Sequence, residues 1–232
     1  MAMKKRIKSI FVLGFIITIV LLSIIIFVNK TLDKEREKVI DTQIEEVING
    51  FNQMQTLLGM GDTYGNRMTC LIFENMLQDL DKSIWELGQK IDKYRQTSEE
   101  FFKSPYYRQQ KKFFNEKEVF YLNLLRGVKQ KCGFNQPIIL FFYRNSEDCK
   151  KCDDQSFVLS DINEKIDEEI SIFSFDIDMN LTTLKILNQY YEIDEYPCLV
   201  IDDKRYCGMQ DKNIIMKNLC MIANISVCPE YG

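Results

Sequence analysis

Two cysteines three residues apart, Cys149-Lys150-Lys151-Cys152, separate two stretches of different periodicity. Before them, Pro137 to Arg144 holds a continuous apolar run, Ile138-Ile139-Leu140-Phe141-Phe142-Tyr143. It is short, β-branched and aromatic, and so predicts a buried strand. After them, Gln155 to Glu169 predicts a helix with Phe157, Val158, Ile162 and Ile166 on one side. The pair therefore falls where a buried strand hands over to a helix. A thiol there meets unpaired N–H groups and the positive end of the helix dipole, both of which favour the thiolate. Lys150 and Lys151 add positive charge beside it and are candidate thiolate-tuning residues. The opposing reading makes them an ordinary solvated first turn, where the dipole disfavours cations.

Two cysteines at this spacing can close a disulfide and reopen it, which exchanges two electrons. The same spacing also serves as half of a zinc site, or as a plain structural staple. Zinc would need a second pair or histidines. The 232-residue chain contains no histidine, and its other six cysteines, at 70, 132, 198, 207, 220 and 228, form no second C-x-x-C. No metal and no cofactor is expected. The lack of histidine also excludes Ser-His-Asp and Cys-His hydrolases. Net charge is −4 and no basic patch stands out, which argues against a nucleic-acid partner. Eight cysteines suit an oxidising compartment, and the even count permits complete pairing.

Lys4, Lys5, Arg6 and Lys8 precede an uncharged, mostly apolar run from Ile10 to Val28. A helix of that length spans about 28 Å, near the thickness of a bilayer's hydrocarbon core. Ile26-Phe27-Val28 occupies the place of a small-x-small cleavage site. The expectation is an uncleaved single-pass anchor; the alternative is a cleaved signal peptide. Lys30, Lys34, Arg36 and Lys38 follow the run, so basic residues flank it on both sides and leave orientation nearly tied. The cysteine content breaks the tie and puts the C-terminal body outside the cytoplasm.

Beyond the anchor, Leu32 to Leu58 has apolar residues at Ile40, Ile44, Val47, Phe51, Met54 and Leu58, a narrow helical seam that Gly59, Gly61 and Gly65 should break. A second helix has its seam at Leu77, Leu80, Ile84, Leu87, Ile91 and Tyr94. Gln96 to Ser104 reads as a loop. Ser104-Pro105 starts a third helix, with Tyr121, Leu125, Val128 and Cys132 on one face and Gly133 as its cap. These helices form either a spacer or a binding surface. Short connections make antiparallel neighbours. Helix rise then brings Cys70 and Cys132 level at the end of the hairpin away from the loop, and predicts a bridge between them.

From Gln136 strands alternate with helices: a strand over 170–176, a helix over 181–191, a hairpin and a last helix over 213–223. The hairpin places Cys198-Leu199-Val200-Ile201 against Lys204-Arg205-Tyr206-Cys207 across a two-residue Asp202-Asp203 turn. That register sets Cys198 opposite Cys207 on a non-hydrogen-bonded pair and predicts a second bridge beside the Cys149–Cys152 pair, or at least two contacting thiols. Cys220 and Cys228 are left to pair with each other. Asn180-Leu181-Thr182 and Asn224-Ile225-Ser226 fit a glycosylation pattern of the kind that arises by chance.

The order of strand, C-x-x-C helix, strand, helix, proline-led hairpin and helix resembles the thioredoxin superfamily over roughly residues 134 to 223. Tyr196-Pro197-Cys198-Leu199-Val200-Ile201 is similar to the family's cis-proline segment, and Gly208 to the glycine that closes its hairpin. The resemblance implies an α/β, thioredoxin-like fold, a central mixed sheet flanked by helices. It also implies an exposed attacking thiolate at Cys149, a buried resolving thiol at Cys152, and substrate binding at Tyr196 and Pro197. Many members bury an acid in the strand before the active site. Here Phe141, Phe142 and Tyr143 fill that strand, and Glu147 and Asp148 fall nearer, on the loop. The expected organisation is a tail and anchor (1–30), a helical stalk (31–133) and a thioredoxin-like domain with a C-terminal tail (134–232). The expected function is a membrane-anchored, extracytoplasmic thiol–disulfide oxidoreductase. Its partners are protein thiols and disulfides as substrates, a redox partner, and the membrane through Ile10 to Val28. The alternative is a non-catalytic thioredoxin-like binding module whose cysteines are all structural.

Overall fold

A computed structural model of the chain describes residues 2–97, 99–133, 136–145, 148–166 and 169–230. Glu147 and the junction at 134–135 lie outside them, as does the side chain of Leu77. The chain divides into two units, Met1–Glu46 and Val47–Gly232. The first unit is entirely helical where described, part of helix α1 (Ala2–Tyr64). Its apolar stretch is exposed along its length, from Phe11 to Val28. A window there has a mean hydropathy of 3.2, long and apolar enough to cross a membrane.

The second unit begins within α1 and continues through α2 (Asn66–Thr97), α3 (Glu99–Phe102) and α4 (Pro105–Cys132). Gly59 and Gly61, expected to break the first helix, are helical, and α1 ends only at Gly65, whose φ is +88°. Gly61 serves close approach instead: a Cβ there would collide with Thr69 Oγ1 on α2. Gly88 does the same between α2 and α4, where a Cβ would stand 2.8 Å from the Phe114 ring. The stretch expected as a loop contains α3, because Phe101 is buried and packs edge-on against Tyr94 and Tyr107. The Ser104 side chain accepts from the Tyr107 N–H at the start of α4, and Gly133 caps its end with φ +72°. A disulfide joins Cys70 to Cys132, with Cα atoms 5.5 Å apart, near the free ends of this hairpin.

The sheet has the order β2-β1-β3-β4, formed by β1 (Ile138–Tyr143), β2 (Ser171–Asp176), β3 (Cys198–Ile201) and β4 (Lys204–Cys207). β1 and β2 are parallel, joined by α5 (Lys150–Ile166), while β3 is antiparallel to both β1 and β4. The protein is thus mixed α/β with a mixed four-stranded sheet. Its apolar run puts β1 at the centre, because only a strand covered on both faces tolerates continuous hydrophobicity. Side chains alternate across the sheet. Ile139, Phe141, Leu199 and Ile201 meet Leu159 and Ile162 of α5, together with Ile215 and Leu219 of α7 (Lys212–Ile222). On the other face Phe142 packs against Phe175 and Tyr191, and Tyr121 of α4 packs against Phe173. Tyr191 follows α6 (Thr182–Tyr190).

α5 starts five residues earlier than expected, at Lys150. Cys152, Gln155, Leu159, Ile162 and Ile166 step inward at intervals of three and four. Phe157, expected in the core, is five residues from Cys152 and is 65% exposed.

α4 also covers the outer edge of β2, where Glu118 Oε1 accepts from the Ser174 N–H at 2.8 Å and Asn115 Oδ1 from the Asp176 N–H at 2.9 Å. Asn115 Nδ2 in turn donates to Glu118 Oε2. The residues expected as a stalk are therefore, from Val47 onward, part of the same unit as the sheet.

Two expected outcomes follow from this packing. The Cys70–Cys132 bridge closes a loop with a sequence separation of 62. Replacing both cysteines by serine should lower unfolding stability by about 4 kcal/mol in the chain-entropy model, read as a shift of the urea midpoint of the full chain in micelles. The second concerns Glu118. Burial raises its carboxyl from 4.5 to about 8, only partly offset by the Ser174 N–H and Lys111. The folded state then holds a proton that the unfolded chain has lost, so stability present below pH 4.5 declines as pH rises through about 8. Asp176, raised by burial from 3.8 to about 6, acts in the same direction over its lower window. Stability should fall by about 5 kcal/mol at most between pH 5 and 8, the larger share from Glu118. Glu118→Gln should remove most of that slope; an unchanged slope would assign it elsewhere.

Candidate functional site

At the end of β1 the chain turns through Arg144 and Asn145. The Asn145 N–H donates to Asp178 Oδ2 at 2.8 Å, and its carbonyl accepts from the N–H groups of Asp148 and Cys149 at 3.0 and 2.9 Å. This turn sets Cys149 immediately before α5, and its carbonyl accepts from the Cys152 N–H at 3.1 Å. Cys149 and Cys152 are joined by a disulfide across the first turn, with Cα atoms 5.4 Å apart. Cys149 was expected to be exposed, but it is only 7% exposed, against 2% for Cys152. The bond explains the difference: it draws the Cys149 sulfur to Cys152, which lies on the sheet-facing side of α5. Lys150 and Lys151, by contrast, both face solvent.

Tyr196 and Pro197 lead into β3, and the peptide bond between them is cis. Pro197 is buried, and its carbonyl accepts from the Gly208 N–H at 2.8 Å. Gly208 has φ +76°, which suits a residue without a Cβ. The Tyr196 hydroxyl donates to Asn188 Oδ1 at 2.7 Å, and the Arg144 guanidinium lies 5.3 Å from the Tyr196 ring. Gln155 on α5 ties this hairpin to the helix. Its Oε1 accepts from the Gln210 N–H at 2.7 Å, and its Nε2 donates to the Gln210 carbonyl at 3.3 Å. Gln155 is fully buried, so the pair satisfies both its polar ends.

The other candidate cysteines form two more disulfides. Cys198 pairs with Cys207 across the hairpin, directly opposite in register, with Cα atoms 3.9 Å apart. Cys220 of α7 pairs with Cys228 in the final turn. Cys198 neighbours Phe142 on β1, so the hairpin bridge lies on the sheet face opposite Phe141, Leu199 and α5. The structure thus does not bring it onto the face that carries Cys152. Among the described residues no cluster of three or more His, Cys, Asp or Glu side chains could hold a metal.

A chain of charges from the helical hairpin reaches the first turn of α5. Lys111 on α4, 1% exposed, lies 3.1 Å from Asp92 on α2. Asp92 is also 3.9 Å from Arg95, whose guanidinium is 3.3 Å from Asp153 on α5. Burial alone would lower both cations; Asp92, Tyr143, Tyr107 and Asp176 hold Lys111 well above its ordinary value, and Asp92, Tyr107 and Asp153 hold Arg95 up. Lys111 Nζ also stands 5.5 Å from the Tyr143 ring centre. A small cavity of about 40 Å³ opens here, lined by Asp92, Lys111, Glu118, Phe141, Ser156 and Ser160 among others.

Sequence reasoning passed over this polar group, although a signal for it exists. Tyr107, Lys111, Phe114, Glu118, Tyr121, Leu125 and Val128 continue one helical seam at intervals of four and three, and all are buried. Lys111 and Glu118 therefore occupy core positions of α4.

No family model matches this chain, and no curated protein matches it. A solved structure described as "Structure of a malarial protein" is similar to it at 17% identity with a TM-score of 0.34, over 39% of this chain and 100% of that one.

Proposed function

We propose that the protein is a membrane-anchored, thioredoxin-like thiol–disulfide oxidoreductase that acts on protein thiols and disulfides outside the cytoplasm. The observation that carries this reading is the Cys149–Cys152 disulfide, closed over the first turn of α5 where the central strand β1 ends. Such a position supplies helix N–H groups and dipole to whichever sulfur becomes a thiolate. The strand order β2-β1-β3-β4, with the Tyr196-Pro197 segment entering β3, supports the thioredoxin-like reading of 134–223. Four disulfides and no free cysteine among the described residues support an oxidising compartment, with α1 as the anchor.

In this reading the reduced protein attacks a substrate disulfide with the Cys149 thiolate. A mixed disulfide forms on Cys149, and one substrate sulfur leaves as a thiolate that takes up a proton. Cys152, deprotonated, then attacks the Cys149 sulfur. The mixed disulfide breaks, the second substrate sulfur leaves, and Cys149–Cys152 is restored. Two electrons pass from the protein to the substrate. Run backwards, the same steps oxidise a substrate dithiol and reduce the pair. A second dithiol or disulfide protein returns the pair to its starting state.

A second reading, a binding module whose cysteines are all structural, is favoured by one observation: Cys149 is 7% exposed. Trapping separates the two. With a disulfide-bearing peptide as probe, the full chain carrying Cys152→Ala should accumulate a reductant-sensitive adduct at least about tenfold above Cys149→Ala. Equal trapping by both variants would overturn the assignment of roles. Trapping by neither would establish the binding-module reading.

A further inference from the structure

Asp153 lies four residues after Cys149, one helical turn along the same side of α5. Its negative charge there opposes a thiolate on Cys149. Lys150 and Lys151, on the same turn, face solvent, where water and salt screen them. The cation that meets Asp153 comes from outside the α/β part of the chain: the Arg95 guanidinium, near the end of α2, at 3.3 Å. The Arg95 side chain is 18% exposed and that of Asp153 44%.

We propose that Arg95 is a positioning residue for the redox pair: held between Asp92 and Asp153, it cancels the Asp153 charge one turn from Cys149 and so favours the Cys149 thiolate. This rests on the exchange reading of Cys149–Cys152. The surrounding charges define the sign. Lys111, Asp92, Arg95 and Asp153 form a chain of two cations and two anions with no net charge. Removing Arg95 leaves one excess negative charge beside the start of α5. Among the described residues the other charges near that turn are Lys150, Lys151 and Asp154 on α5 itself, Asp148 and Arg144 on the preceding loop, and Asp178, which Arg144 approaches at 3.8 Å. None of these is paired with Asp153 among the described residues. Arg144 and Asp178 approach each other rather than Arg95. The helical hairpin would thus tune a site to which it contributes no sulfur, and the Cys70–Cys132 bridge and α4 hold it on the sheet.

The test is the pH dependence of Cys149 alkylation by iodoacetamide in the reduced full chain in micelles, with the equilibrium against glutathione measured alongside. If Cys149 alkylates with the pKa of an ordinary free thiol in the unmodified chain, the exchange reading itself fails. Given a depressed pKa there, Arg95→Gln should raise it by about half a pH unit and shift the glutathione equilibrium about threefold toward the disulfide. Asp153→Asn, on a half-exposed side chain, should lower it. The double variant should return near the starting value. An unchanged pKa in Asp153→Asn, or a double variant that keeps the full Arg95→Gln shift, would overturn the proposal. A merely structural loss would move thermal stability without this reciprocal pattern.

Discussion

The outer edge of β2 is where the two halves of the large unit are made one. A parallel edge strand presents backbone N–H groups with no strand to receive them, and buried orphans cost more than a formed hydrogen bond gains. Here α4 supplies the acceptors from its side chains, Glu118 for Ser174 and Asn115 for Asp176. A helix that serves as a surrogate strand has to lie in one place and one register. That requirement fixes α4 against the sheet, and α4 in turn holds α2 through Gly88, Phe114 and the Cys70–Cys132 bridge.

Placing a carboxylate in that role brings an electrostatic cost. Glu118 is 2% exposed, and desolvation pushes its pKa up to about 8. Lys111, seven residues earlier on the same seam, partly offsets this and is itself buried. A buried cation needs its own anion, which Asp92 provides from α2. Asp92 then stands within ion-pair reach of Arg95, and Arg95 reaches Asp153. The polar chain that ends at the first turn of α5 can thus be followed, one partner at a time, from the need to satisfy the edge of β2.

What the sequence made legible was local. The run 138–143 reads as a central strand because continuous apolarity over six residues has few other uses. The opposition of Cys198 and Cys207 was readable because a two-residue turn determines register. Asp202 and Asp203, with φ of +49° and +61°, adopt the left-handed geometry that such turns need. The bridge from Cys70 to Cys132 was accessible from helix rise once a short connection made the two helices antiparallel neighbours. What was not legible depended on partners far away in the chain. Gly59 and Gly61 look like breakers until Thr69 of α2 is seen against Gly61. Phe157 looks like core because it is large and apolar, yet at five residues from Cys152 and from Ile162 it falls about 140° from each on the helix. Lys111 and Glu118 look like surface because charge usually outweighs seam position, and only the β2 edge and Asp92 explain their burial. Arg95 has no local signal, since its partner on α5 is 58 residues away.

The four disulfides differ in what they do for the fold. In the chain-entropy model the Cys70–Cys132 closure, separation 62, is the largest constraint on the unfolded chain. Cys198–Cys207 and Cys220–Cys228, separations 9 and 8, join a hairpin across its strands and α7 to the final turn. Cys149–Cys152, separation 3, removes the least entropy of all. It also lies where local hydrogen bonds, from Cys149 to Asn145 and from Cys152 to Cys149, already order the chain. In the chain-entropy model this bond therefore adds the least to the fold of the four. Gln155, Leu159 and Ile162 anchor α5 through contacts that do not involve either sulfur. The exchange proposed above calls for such a separation of roles: a bond that breaks and re-forms while α5 stays anchored by other contacts.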